Sequence, residues 1–250
     1  MENNIANIEA LISEYEAVKL NFQQERIAED IPKYNTLLDD FSAMKKEYHI
    51  WNRKKAERYN IFHILNIRHG ETKTHTPYLI NLLNPKGSHA HGLLFFNLFI
   101  NAIAPESKKH LYKDLKVSNL RVKEEKSTED GRLDIFIESF GLKERFVIVI
   151  ENKINAGDQD KQLERYYNHC RKSGYTDDNI LLIYLTKCGK EASDSSISFL
   201  ERERLKKANV LVNMSYRTDM KKTLKTYIKQ LNSSKVKFIA KQYLDIIKTF

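Results

Sequence analysis

GRLDIFIES, residues 131–139, and RFVIVIENK, residues 145–153, read as two consecutive β-strands joined by a short connection. The first alternates apolar and polar residues. The second is apolar on both faces until its acidic end, the mark of a strand in the middle of a sheet. Asp134 lies in the first strand and Glu151 at the end of the second, so neighbouring strands carry two carboxylates that can share one divalent metal. Side chains alternate along a strand with period 2, so Lys153 projects from the same face as Glu151. Two carboxylates and an ammonium in that arrangement permit metal-assisted attack of water on a phosphodiester.

Working outward, NLRVKEEKS (119–127) alternates and adds a strand before these two. DQDKQLERYY (158–167) begins a helix just behind them. NILLIYLTK (179–187) is another buried strand, and ANVLVNMSY (208–216) a fifth. Two basic helices close the chain, at about 217–232 and 235–249. Upstream, Thr76-Pro77 has the form of an N-cap with proline at the first helical position, opening a helix that Asn84-Pro85 ends. An apolar helix then runs from His91 to Ile103. Residues 3–29 carry Ile5, Ile8, Ile12, Tyr15 and Phe22 near heptad spacing. Pro32 is expected to interrupt this helix, and a second stretch from Tyr34 to Ile67 carries Leu37, Leu38, Phe41, Met44, Tyr48 and Trp51. Together they predict a helical hairpin at 1–60 ahead of a domain at 61–250. The apolar stripe suits core packing or a contact with a second copy or a partner protein better than a ligand site.

At 250 residues and 41% hydrophobic the chain can bury a sizeable core. Its formal net charge of +9 favours a polyanionic partner. Residues 216–250 hold nine bases against Asp219 and Asp245, either a solvated helix face or a surface that tracks phosphates. Cys170 and Cys188 are the only cysteines and form no C-x-x-C or Cys/His ligand pattern, which excludes a disulfide framework or a structural zinc site. The first ten residues lack the apolar core of a secretory signal, and the greasiest stretch, 92–104, is too short to span a bilayer. The expectation is a cytoplasmic protein with no membrane partner. No P-loop, dinucleotide fingerprint, G-x-S-x-G elbow or Cys-His nucleophile arrangement is present.

Asp134 followed by Glu151-Asn152-Lys153 resembles the PD-(D/E)XK nuclease superfamily. Gln162 and Tyr166, one helical turn apart, match the Gln-x-x-x-Tyr helix of its RecB-like branch. The stretch HGETKTHTPYLINLLNPKGSHAHG, then GRLDI, IENKINAGDQ and QLERY, is similar to an uncharacterised bacterial group of the same superfamily. The likeness spans Ile61 to Tyr167 and, more loosely, the C-terminus; residues 1–58 match nothing. It implies a restriction-endonuclease-like α/β core, with a mixed sheet flanked by helices in the order α-β-β-β-α-β. It also implies a hydrolase, an endo- or exonuclease, that uses magnesium or alternatively manganese.

By that resemblance Asp134, Glu151 and the backbone carbonyl of Asn152 bind the metal. Lys153 orients the attacking water, Gln162 lines the pocket, and Glu71 supports the metal through water. Pro77, six residues after Glu71, threatens the helix that should carry it. DNA is the expected substrate, with RNA as the alternative, and defence against foreign DNA is the expected setting. The competing reading is a catalytically silent nucleic-acid-binding or assembly protein that retains the fold.

Tyr166, Arg132, Arg165, His91, Lys221 and Lys225 are candidate nucleic-acid contacts. Arg132 and Arg165 could equally be surface charges. His89 and His91 suit a structural role better than a metal pair, because no third ligand is near. His63, His69 and His75 are assigned no role as a general base. Asp158 is expected to cap the helix that follows it.

Overall fold

A computed structural model describes residues 2–56, 58–128, 131–141 and 143–250; within these, the side chains of 2–9, 124–128, 131 and 132 are outside the description. The chain divides into two units, Met1–Tyr59 and Asn60–Phe250.

The first unit is one helix, α1 (Glu2–Lys55), which passes through Pro32 without a break. The predicted hairpin is therefore corrected to a single helix. Proline removes one donor and crowds the preceding turn, but that loss falls within a helix of 54 residues whose flanking sequence favours helix on both sides. The second predicted helix also stops earlier than expected, at Lys55. A separate short turn, α2 (Ile61–Ile64), starts where the Asn60 side chain accepts the Phe62 N–H.

The second unit is built on a five-stranded sheet of β1 (Leu120–Thr128), β2 (Gly131–Ser139), β3 (Val147–Lys153), β4 (Ile180–Thr186) and β5 (Leu211–Ser215), paired in that order. β1–β2 and β2–β3 are antiparallel, whereas β3–β4 and β4–β5 are parallel. Parallel neighbours need a crossover. Helix α5 (Gln162–Lys172) supplies the first and α6 (Phe199–Lys207) the second. Every position of β3 and β4 is buried, as their apolar runs require.

Helices α3 (Thr76–Leu83), α4 (Leu94–Ile103), α7 (Lys221–Gln230) and α8 (Ser234–Ile247) cover one face of the sheet, and α5 and α6 cover the other. In α4, Phe95, Phe96, Phe99 and Ile100 recur at helical spacing, and all four are buried. Along β3 the pleat sends Ile148 and Ile150 into the first core and Val147 and Val149 into the second. Continued to the strand end, that alternation puts Asn152 on the first side and Glu151 and Lys153 on the second. Among the described residues no helix is long and apolar enough to cross a membrane.

Candidate active site

The antiparallel register Ile135↔Ile150 brings Asp134 level with Glu151. There the two strands part. The Asn152 N–H donates to Asp134 Oδ2 at 3.0 Å, so a carboxylate replaces the backbone acceptor of the ladder. Glu151, 1% exposed, sits across from Tyr184 of β4. The Lys153 ammonium lies 2.8 Å from Glu151 Oε1, as period 2 requires of residues two apart on one strand.

Both Glu151 oxygens are buried without a well-aligned hydrogen bond; Lys153 is close but poorly directed. Burial, and then the charge of Asp134, push the Glu151 carboxyl up to about 8, although Lys153 and the Tyr166 hydroxyl pull part of the way back. Burial disfavours the charged form of Lys153, but Glu151, Asp134 and Glu71 more than reverse this and hold its pKa above the usual lysine value. The pocket is thus an acidic pair with one ammonium, in which Glu151 keeps its proton to a higher pH than an ordinary carboxyl.

Helix α5 closes the pocket. Gln162 and Tyr166 share a face, and Gln162 Nε2 donates to the Tyr166 hydroxyl at 2.9 Å. Both side chains are buried. Asp158 does not cap α5. It accepts the Tyr184 hydroxyl at 2.6 Å and the Ser193 N–H at 2.8 Å, tying β4 to the loop that follows it. Burial raises the Asp158 carboxyl, but these two donors outweigh it and hold its pKa below the usual value.

Glu71 opens a π-helical turn, Glu71–His75, that runs directly into α3. The His75 N–H reaches back to the Gly70 carbonyl, and the Thr76 N–H to that of Glu71. These wider i→i+5 bonds resolve the difficulty posed by Pro77, which has no N–H to offer at the start of α3. The expected Thr76 cap is absent from this junction. Glu71 Oε2 instead accepts the Ile154 N–H at 2.6 Å, with those of Asn155 and Ala156 at 3.2 and 3.4 Å. Its carboxylate therefore anchors the chain as it leaves β3.

On the opposite face of β3, Asn152 is fully buried. Its Nδ2 donates to Thr76 Oγ1 at 3.0 Å, and its Oδ1 accepts the Tyr216 hydroxyl at 2.9 Å. His75 joins the same interior, 2.9 Å from the Tyr243 hydroxyl and 3.0 Å from the Arg68 carbonyl. Burial lowers its pKa to about 4. It is a neutral core histidine.

The other candidates lie elsewhere. His91 contacts His89, through the His89 carbonyl, and faces Tyr227. Arg165 turns back onto the Asp160 carbonyl and Gln159, bracing the loop before α5. Lys221 and Lys225 line a shallow basic groove on α7 with Arg217, Lys222 and Lys229. The Arg132 side chain lies outside the described residues.

Sequence reasoning missed Thr76, Tyr216 and Tyr184 as supports of the site. Asn152 held a clue to the first two, since an amide on the inward face of a central strand demands buried partners.

A family model described as the PD-(D/E)XK nuclease superfamily matches residues 59–245. No curated protein and no solved structure matches the chain.

Proposed function

The chain belongs to the PD-(D/E)XK nuclease superfamily, and from that premise we propose that it is a divalent-metal-dependent nuclease acting on DNA, with Asp134, Glu151 and Lys153 as its catalytic centre. The observation that carries this reading is Glu151. Glu151 is 1% exposed, lies beside a second carboxylate and has the Lys153 ammonium 2.8 Å away, yet neither of its oxygens has an aligned donor, which leaves both available to a metal ion. The donor set is all oxygen, which suits magnesium or manganese rather than a softer metal.

Asp134, Glu151 and the Asn152 carbonyl would hold the ion, with water in the remaining positions. Among the described residues no group of three or more His, Cys, Asp or Glu side chains forms a ready-made metal cluster, so the protein supplies a partial shell, as magnesium sites commonly do. A bound divalent ion supplies Lewis acidity and lowers the pKa of water. Lys153, charged and held against Glu151, presents a fixed positive charge to a phosphate entering the pocket and stabilises the negative charge that develops during attack. Gln162 and Tyr166 set the wall opposite the strands. Glu71 fixes the backbone after Lys153, and Thr76 and Tyr216 fix the Asn152 side chain, which would steady the carbonyl that would hold the ion. Lys221 and Lys225 attract the phosphate backbone without reading sequence. Defence against foreign DNA is the setting we assign to this activity.

The test is cleavage of single- and double-stranded DNA with magnesium, manganese or chelator. Wild type cuts only with metal. Lys153→Ala loses roughly a hundredfold or more in rate while DNA binding is nearly retained. If wild type binds DNA but cuts neither substrate with either metal, the enzyme reading fails, and a silent nucleic-acid-binding protein takes its place. Cleavage of RNA alone would reassign the substrate.

A further inference from the structure

Helix α1 exposes an apolar face that its own unit leaves uncovered. Leu20, Ile27, Tyr34, Phe41 and Tyr48 follow one another at intervals of seven residues, and each is at least 41% exposed. Ile31 and Leu38 form a second column at the same interval, and Leu37, Met44 and Trp51 a third. From Ile31 to Trp51 the three columns make one stripe, and the first column alone extends it back to Leu20.

The period identifies the kind of surface that covers it. A straight helix drifts by about 20° per heptad against a seven-residue repeat, so the column from Leu20 to Tyr48, kept in strict heptads over four repeats, stays aligned only against another helix wound around it. Asp30 falls in the third column and Lys45 in the second; the other charges between Leu20 and Trp51 lie off the stripe. Arg26, Lys33, Asp40 and Glu47 form a heptad column along one edge of the stripe, and Pro32 lies in an outer column with Glu25, Asp39 and Lys46. The proline therefore stays out of the seam.

We propose that α1 pairs with α1 of a second copy of this chain as an antiparallel two-helix coiled coil crossing near Tyr34. Residues 10–30 carry five acids against two bases, a net of −3; residues 31–55 carry three acids against six bases, a net of +3. Two copies side by side in the same direction set like against like. Reversing one sets the acidic half of each against the basic half of the other, and opposes the two helix dipoles as well. Of the two columns that border the stripe, Asn21, Ala28, Asn35, Ser42 and His49 carry no acid or lysine, and Arg26, Lys33, Asp40 and Glu47 carry two bases and two acids, so neither set brings a net charge to resist the approach. Ten large side chains, about half exposed, offer on the order of 1,000 Å² per helix, above the roughly 800 Å² per partner of a standard stable interface. The pairing stands whether or not the nuclease reading does.

Sedimentation of the full chain tests the pairing, and disulfide trapping tests its direction. Wild type sediments at twice the chain mass. Leu38→Glu with Phe41→Glu, both exposed and compatible with helix, sediments as a monomer with unchanged melting of the sheet domain. With exposed Cys188 replaced by Ser, a Leu20→Cys/Tyr48→Cys double variant oxidises to a covalent dimer, whereas neither single variant does. A monomeric wild type, a mass above two chains, or a dimer that survives the Glu substitutions overturns the pairing. Covalent dimers from the single-cysteine variants overturn the antiparallel direction.

Discussion

Replacing Glu151 by glutamine is expected to stabilise the metal-free protein while abolishing its activity. The carboxyl titrates near 8 in the fold against an ordinary value of 4.5. Between these values the folded chain keeps the Glu151 proton and the unfolded chain releases it, so metal-free stability falls as pH rises from 4.5 to 8. The accumulated penalty is about 3 kcal/mol at pH 7 and about 5 kcal/mol above pH 8. Glutamine keeps the shape and carries no such penalty. Lys153 loses one counter-charge, but Asp134 and Glu71 still act on it. Melting in chelator at pH 7 should therefore rise by several degrees in Glu151→Gln, on the order of 5–10 °C. The gap should be small at pH 5 and largest above pH 8. Magnesium should raise the melting point of wild type and leave the variant nearly unmoved. A variant that melts at or below wild type at pH 8 in chelator, or a gap indifferent to pH, refutes the reasoning.

His75, with a folded pKa near 4 against 6.5, contributes stability that is present above pH 6.5 and lost as pH falls toward 4, about 2 kcal/mol of it by pH 5. Urea titrations at pH 7 and 5 should give a smaller loss for His75→Gln, although that variant starts less stable. Glu71→Ala leaves the Ile154 N–H without its acceptor and should cost about 1–3 kcal/mol in urea, with a lower cutting rate; unchanged stability would show that water replaces the carboxylate. Lys221→Ala with Lys225→Ala should make the fall of DNA affinity with salt shallower by about 2 in log–log slope, while cleavage at saturating DNA keeps its rate.

The sheet and the side chains gathered at the ends of its strands were legible because they depend on local periodicity. Alternation over 131–139 and an apolar run over 145–153 specify strands, and period 2 alone puts Glu151 and Lys153 on one face, where the ammonium and carboxylate are 2.8 Å apart. The Gln162–Tyr166 pair followed in the same way from helical spacing. Pro32 misled because local preference carries little weight against a long favourable helix. Pro77 misled because the chain had a wider turn available.

What the sequence by itself determined is therefore the order of elements and the residues that share a face, since both are set within a few positions along the chain. Tertiary structure alone decided the contacts between distant segments. Glu71 anchors a loop 83 residues away, Tyr216 holds Asn152 across 64, and Tyr184 holds Asp158 across 26. It also decided how deeply Glu151 is buried, and with that its proton affinity. No period in the chain encodes desolvation, because it depends on everything that packs around a group once the fold has closed.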